Sequence, residues 1–77
     1  MFRLAYKYND EVIFYFDHVG NKYVASSGSL AWRINNPGLL HCHSPFAHRN
    51  GSIGSCGRYA IFSHPEQGQK ALSDWLH

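Results

Sequence analysis

The 77-residue chain predicts a small α+β domain: a small antiparallel sheet packed on one C-terminal helix, with a long ordered loop between. Three observations carry that expectation. The first 27 residues alternate apolar and polar side chains between turn signals. The middle third is rich in Gly, Pro, Ser and Asn. The last residues combine a helix-start signature with an apolar stripe. A single domain this short buries a modest share of its surface, so its stability margin is thin. Large rings fill a short core efficiently, and 16% of the residues are Phe, Trp or Tyr.

Residues 1–27 read as a three-strand meander. Phe2, Leu4, Tyr6 and Tyr8 fall at alternating positions, which predicts one strand face for all four. Asn9-Asp10 signals a turn. "EVIFYFD" (11–17) is strongly strand-forming, with Val12, Phe14 and Phe16 on one face and Ile13 and Tyr15 on the other. "VGN" (19–21) signals the next turn, and Lys22 to Ser26 continues as a short strand with Tyr23 and Ala25 on a shared face. Such a sheet needs a partner on its apolar face.

Residues 28–57 form the loop-rich segment. "SLAWRI" predicts one helical turn from Ser29, ended by the asparagines and Pro37. A stretch this long with little regular structure is, when ordered, often functional. Within it, "WRINNPGLL" (32–40) is nearly forced to turn. Pro37 restricts Asn36 to extended backbone, Gly38 frees the next dihedral, and asparagine side chains can bond neighbouring backbone. Trp32, Ile34, Leu39 and Leu40 would pin both sides of that corner into the core.

Residues 58–77 supply a strand and a helix. "RYAIF" (58–62) predicts a further strand of the sheet. The helix spans about 64–76, with Ser63 as N-cap, Glu66 as its capping-box partner and Pro65 in the first turn. Ala71, Leu72, Trp75 and Leu76 share a stripe, with Gly68 one turn earlier, and that stripe is the expected partner of the sheet.

Composition narrows the function. Net charge is +2, and the seven basic residues (Arg3, Lys7, Lys22, Arg33, Arg49, Arg58, Lys70) are scattered. Binding nucleic acid calls for a basic stripe that neutralises several phosphates, so nucleic acid is not an expected partner. No segment has the length of a membrane span, and the N-terminus lacks a signal peptide's charged-then-apolar pattern. The expectation is a cytosolic protein, one exported without a cleavable signal, or a piece of a longer polypeptide.

Six histidines and two cysteines invite a metal site. Cys42, His43, His48 and Cys56 are the candidate ligands, against the alternative of scattered loop histidines. Zinc sites usually use two closely spaced ligand pairs, and here no C-x₂-C or H-x₃-H pair exists. No metal and no cofactor is therefore expected. Cys42 and Cys56 could close a disulfide contributing about 3 kcal/mol, or stand as two free thiols. A Cys/His nucleophile lacks a strand-to-helix elbow. The five acids each have a structural explanation at turns, the helix cap or the outer helix face, so no catalytic residue is assigned.

The aromatics are harder to absorb. Tyr6, Tyr8, Tyr15, Tyr23, Trp32, Phe46 and Tyr59 exceed what one small core needs. Rings that stack on sugar faces, with Asn and Arg donors beside them, would hold a polysaccharide without catalysis. The same rings would suit docking to another protein.

Residues 31–76 carry a resemblance. "AWRINNPGLL" (31–40), "FAHRNGSIGSCGRYAIFSHPEQGQKAL" (46–72) and the closing "DWL" resemble a module with the pattern R-x-N-N-P-G-N-[IL], then G-x-[FY]-A-x-F, then P-x-x-G-x-x-A-L-x-x-L. That module occurs in phage virion-associated proteins and in bacterial polymorphic toxins or secreted effectors. It is also similar to the C-terminal part of flagellar-type glucosaminidases. Arg33, Asn35, Asn36, Pro37 and Gly38 match, while Leu39 stands where the pattern has asparagine. The glucosaminidase-type catalytic glutamate lies on a helix ahead of the asparagine turn, and here that place holds strand-like sequence with no glutamate after Glu11.

The resemblance implies a non-catalytic accessory module of a bacterial or phage secreted-toxin or cell-envelope-associated system. It would be exported without a cleavable signal, or be cytoplasmic before delivery. The expected ligand is a peptidoglycan-like glycan or a partner protein of the delivery machinery. Trp32, Arg33, Asn35, Asn36, Arg58 and Tyr59 are the expected contacts. The alternative expectation is a degenerate or fragmentary cell-wall hydrolase, or an effector using Cys/His chemistry.

Overall fold

A computed structural model describes residues 2–77. In chain order the elements are β1 (Phe2–Asn9), β2 (Val12–Asp17), β3 (Lys22–Ala25), α1 (Leu30–Arg33), α2 (Pro45–Arg49), β4 (Gly54–Cys56), β5 (Tyr59–Ile61) and α3 (Pro65–Leu76). The class is α+β: an N-terminal three-strand antiparallel sheet, a second two-strand sheet and a C-terminal helix.

The meander runs β1-β2-β3, with Tyr6 opposite Phe14, Phe14 opposite Val24 and Tyr15 opposite Tyr23. Its β2–β3 turn is closed by Asp17, whose Oδ1 accepts from the backbone N–H groups of Val19, Gly20 and Asn21, each at 2.9 Å. Desolvation pushes that carboxyl up, but it is outweighed by the hydrogen bonds from Asn21, Val19 and Gly20, which hold the pKa down at about 2.

The single strand face expected of Phe2, Leu4, Tyr6 and Tyr8 does not form. The register shifts between Phe2 and Leu4, because Phe2 pairs with Asp17 and Leu4 with Phe16. An irregularity of that kind moves side chains to the opposite face. Phe2 therefore turns inward, its ring 4.9 Å from Tyr15 and 5.2 Å from Tyr23. The buried face belongs to Ala5, Ile13 and Tyr15, which join Ile34, Cys56 and Ile61 in one core. Leu4, Tyr6 and Tyr8 are exposed on the outer face. There Tyr8 stacks on Phe14 at 4.7 Å and Tyr6 on Phe16 at 5.6 Å, with the Lys22 ammonium 4.6 Å from the Phe14 centroid.

The strand near 58–62 also differs from expectation. It pairs with β4, in a segment expected to be loop, so the predicted single sheet is two sheets. They meet where β4 crosses β1: Ala5 N–H donates to Ile53 O at 3.3 Å. A Cβ on Gly54 would lie 1.9 Å from Ala5 O, so only glycine lets these backbones touch.

α1 starts at Ser29 as expected, the Ser29 side chain accepting from Trp32 N–H. α2 was not foreseen, although Ser44 as N-cap followed by Pro45 is a helix-start signal. α2 and β5 are what α3 packs against, not the meander. Leu40, Ala47, Ala60, Phe62 and Ala71 form this second core.

α3 is capped differently from its sequence signature. His64 is the N-cap residue and makes no side-chain cap bond, while Ser63 is buried and its Oγ accepts from Phe2 N–H at 2.9 Å. A long-range partner outcompetes the local box. The apolar stripe is also narrower than expected: Gly68 and Ala71 are buried, but Trp75 and Leu76 are 53% and 66% exposed. Close seating of small residues, rather than burial of large ones, holds this helix. No helix among the described residues is long and apolar enough to cross a membrane.

Candidate functional site

The asparagine corner joins both cores. Asn36 is 0% exposed. Its Nδ2 donates to Leu40 O and Ala60 O and its Oδ1 accepts from Leu40 N–H, all at 3.0 Å. A side chain buried this completely and bonded only to backbone does not reach a ligand, which corrects its expected role as a contact. Its work is to tie the corner to β5.

Asn35 and Arg33 are braces as well. Asn35 has φ 56°, a left-handed conformation that asparagine tolerates, and its Nδ2 donates to Phe62 O at 3.0 Å and to the Tyr15 hydroxyl at 3.4 Å. Tyr15 in turn donates to Arg33 O. Burial, and next the neighbouring Cys56, raise the Tyr15 pKa, so the phenol stays a neutral donor. The Arg33 guanidinium donates to Gly28 O at 2.6 Å and Asp10 O at 3.4 Å, with its Nε buried. Arg33 thus fastens the meander to α1.

Leu39 explains a departure noted in the sequence. Its φ is 49°, the left-handed region that favours Asn or Gly, at the position where the resembled pattern has asparagine. Leucine is strained there and only partly buried. Leu39→Asn is expected to stabilise the fold by about 0.5 to 1 kcal/mol, a Tm rise of about 2–8 °C for a chain of this size. A thermal melt checks this, and a lowered Tm would mean that the leucine's burial outweighs the strain.

Trp32 is different. Its indole is 66% exposed although its backbone is held in α1. It lines two open clefts of about 350 Å³ each, and Asn35 and Pro65 line both as well. Ser29, Ala31, Pro37 and Gln69 complete the first, and Phe2, Tyr23 and His64 are among the walls of the second. The His64 Nδ1 lies 2.7 Å from Glu66 Oε2. The Glu66 carboxyl is held below the usual carboxylate range by its own backbone N–H and then by His64.

The predicted contacts do not form one constellation. Trp32 and Asn35 meet at the two clefts, and Arg33 adds part of the second wall. Arg58 and Tyr59 line a separate shallow cleft with Lys7, Asp10 and Leu30. There Arg58 is exposed and its carbonyl accepts from Cys42 N–H at 2.8 Å, while Tyr59 meets His41 edge-on at 5.9 Å. Tyr23, His64, Pro65 and Gln69 were missed as site residues. Tyr23 stood among the surplus rings, but the other three read as parts of a helix start, and only the approach of α1 makes them a wall.

The alternative metal set of Cys42, His43, His48 and Cys56 is not assembled. Among the described residues no group of three or more His, Cys, Asp or Glu is placed to hold an ion, and both cysteines are free. Cys56 is drawn into the first core by its β4 position, while His43 and His48 stay exposed around α2.

No protein-family model, no curated protein and no solved structure matches this chain.

Proposed function

We propose that the chain is a non-catalytic binding and targeting module of a bacterial or phage secreted-toxin or cell-envelope-associated system, holding a peptidoglycan-like glycan against Trp32. The observation that carries the reading is an indole two-thirds exposed on a fixed helical turn between two open clefts. An exposed ring with no core role is costly to display and well suited to stacking on the apolar face of a sugar. Cleft walls of this kind, mostly apolar with a few polar groups, are typical of small-ligand sites.

The charge pattern favours binding over hydrolysis. A glycosidase needs a carboxylic acid kept protonated to protonate the leaving oxygen. Glu66, beside the second cleft, is instead held ionised by its own backbone N–H and by His64. That makes the degenerate-hydrolase alternative the weaker one.

The full chain is expected to co-sediment with purified peptidoglycan, and Trp32→Ala to weaken retention about tenfold, the roughly 1.4 kcal/mol of one aromatic contact. Because Trp32 contributes little to the core, Tm should stay unchanged. Absence of wild-type retention would remove the glycan reading. Docking to a partner protein would then stand on the outer face of the meander, where Leu4, Tyr6, Tyr8 and Val24 are exposed.

A further inference from the structure

We infer that the ligand is a polysaccharide strand engaged on both sides of Trp32 at once, so that a single sugar unit is not enough. The inference rests on the glycan reading above and adds the length of what is bound. Two clefts of equal size, about 350 Å³ each, share Trp32, Asn35 and Pro65. A shared wall between two open depressions is a ridge. A ligand seated in one cleft meets one side of the indole, whereas a chain that crosses the ridge also meets the other side and the Pro65 ring.

Each cleft holds a polar side chain beside its apolar wall: the exposed Gln69 amide in the first and the His64 imidazole in the second. Only the Nδ1 of His64 faces Glu66, so Nε2 remains to bond a hydroxyl or an acetamide. An aromatic or apolar wall with one hydrogen-bonding group, repeated across a ridge, matches a polymer of repeating rings.

Engaging a second cleft through a covalent link makes the second contact intramolecular, so affinity climbs steeply once the strand is long enough and then levels off. The probes are β-1,4-linked N-acetylglucosamine oligomers of one to six units, titrated into the full chain carrying Trp75→Phe. Of the two tryptophans only Trp32 then reports, by fluorescence and by its indole N–H signal. The expected result is no saturable binding of the monomer and a gain of about tenfold or more between the dimer and the tetramer, followed by a plateau. Gln69→Ala and His64→Ala, one in each cleft, should each bring the tetramer down toward the dimer. Equal affinity per molecule for monomer and tetramer would overturn the two-cleft inference while leaving glycan binding intact. Loss of tetramer binding from only one of the two variants would do the same. No binding at any length, together with no retention on peptidoglycan, would remove the glycan reading itself.

Discussion

Gly68→Ala is expected to lower the Tm by about 12–24 °C, although the same change in an isolated helix would stabilise it by about 1 kcal/mol. The sign is set by a contact. A Cβ at Gly68 would lie 1.8 Å from Asn35 O and 2.9 Å from both Asn35 C and Pro37 Cδ. Those are backbone and ring atoms of the corner, and the corner is fastened through Asn36 to β5, so it has little freedom to retreat. Overpacking against fixed atoms costs about 3 kcal/mol at the upper end of its usual range. A domain of this length has only about 4 to 12 kcal/mol in total. Circular-dichroism melting decides it: an unchanged or higher Tm would mean that α3 does not rest on the asparagine corner.

Asn36→Ala should be nearly as damaging, for a different reason. It removes three buried hydrogen bonds and leaves the Leu40 N–H without its acceptor. Three net bonds of about 1 kcal/mol each put the loss at about 3 kcal/mol. Asn36→Asp offers no rescue, because a carboxylate cannot donate to Leu40 O and Ala60 O and would be a buried charge. Retention on glycan should fall only in proportion to the unfolded fraction and return on cooling below the lowered Tm. Binding lost at an unchanged Tm would return Asn36 to the contact surface.

These two residues also show where the sequence was informative. "NNPG" forced a corner by local rules, since the residue before proline is kept extended and asparagine can replace a backbone partner. "GQKAL" announced a helix with a glycine in it. That the glycine exists to receive the corner was not legible, because the two stretches lie about thirty positions apart and nothing local to either names the other. The helix cap failed for the same reason. The residues beside Ser63 predict it as N-cap, yet its hydroxyl serves Phe2 at the far end of the chain.

The candidate site was half legible. Of the four residues expected to pin the corner into the core, Ile34 and Leu40 are buried but Trp32 and Leu39 are exposed, so Trp32 is one of the surplus rings on display. Within the corner the sequence points to Arg33 as the contact and to Asn36 chiefly as a lock, although charge and amide groups are both common in sites. Their partners turned out to be carbonyls of this chain. A side chain's type tells what it can bond, and only the folded neighbours tell whether that capacity is still free.

What the sequence alone determined is the set of short-range outcomes: three strands in a meander, a turn at the asparagines, a C-terminal helix over about 64–76, and more aromatic surface than the core can hold. Alternation, turn residues and helix periodicity act over two to four positions, so they can be read in place. The tertiary structure decided which face of β1 is buried, that the later strands form their own sheet, and that α3 meets α2 rather than the meander. It also decided that Trp32 stands between two clefts. The meeting of the two sheets and the seating of α3 on the corner depend on backbones approaching at Gly54 and Gly68, where the absence of a Cβ matters only once a partner from elsewhere in the chain arrives.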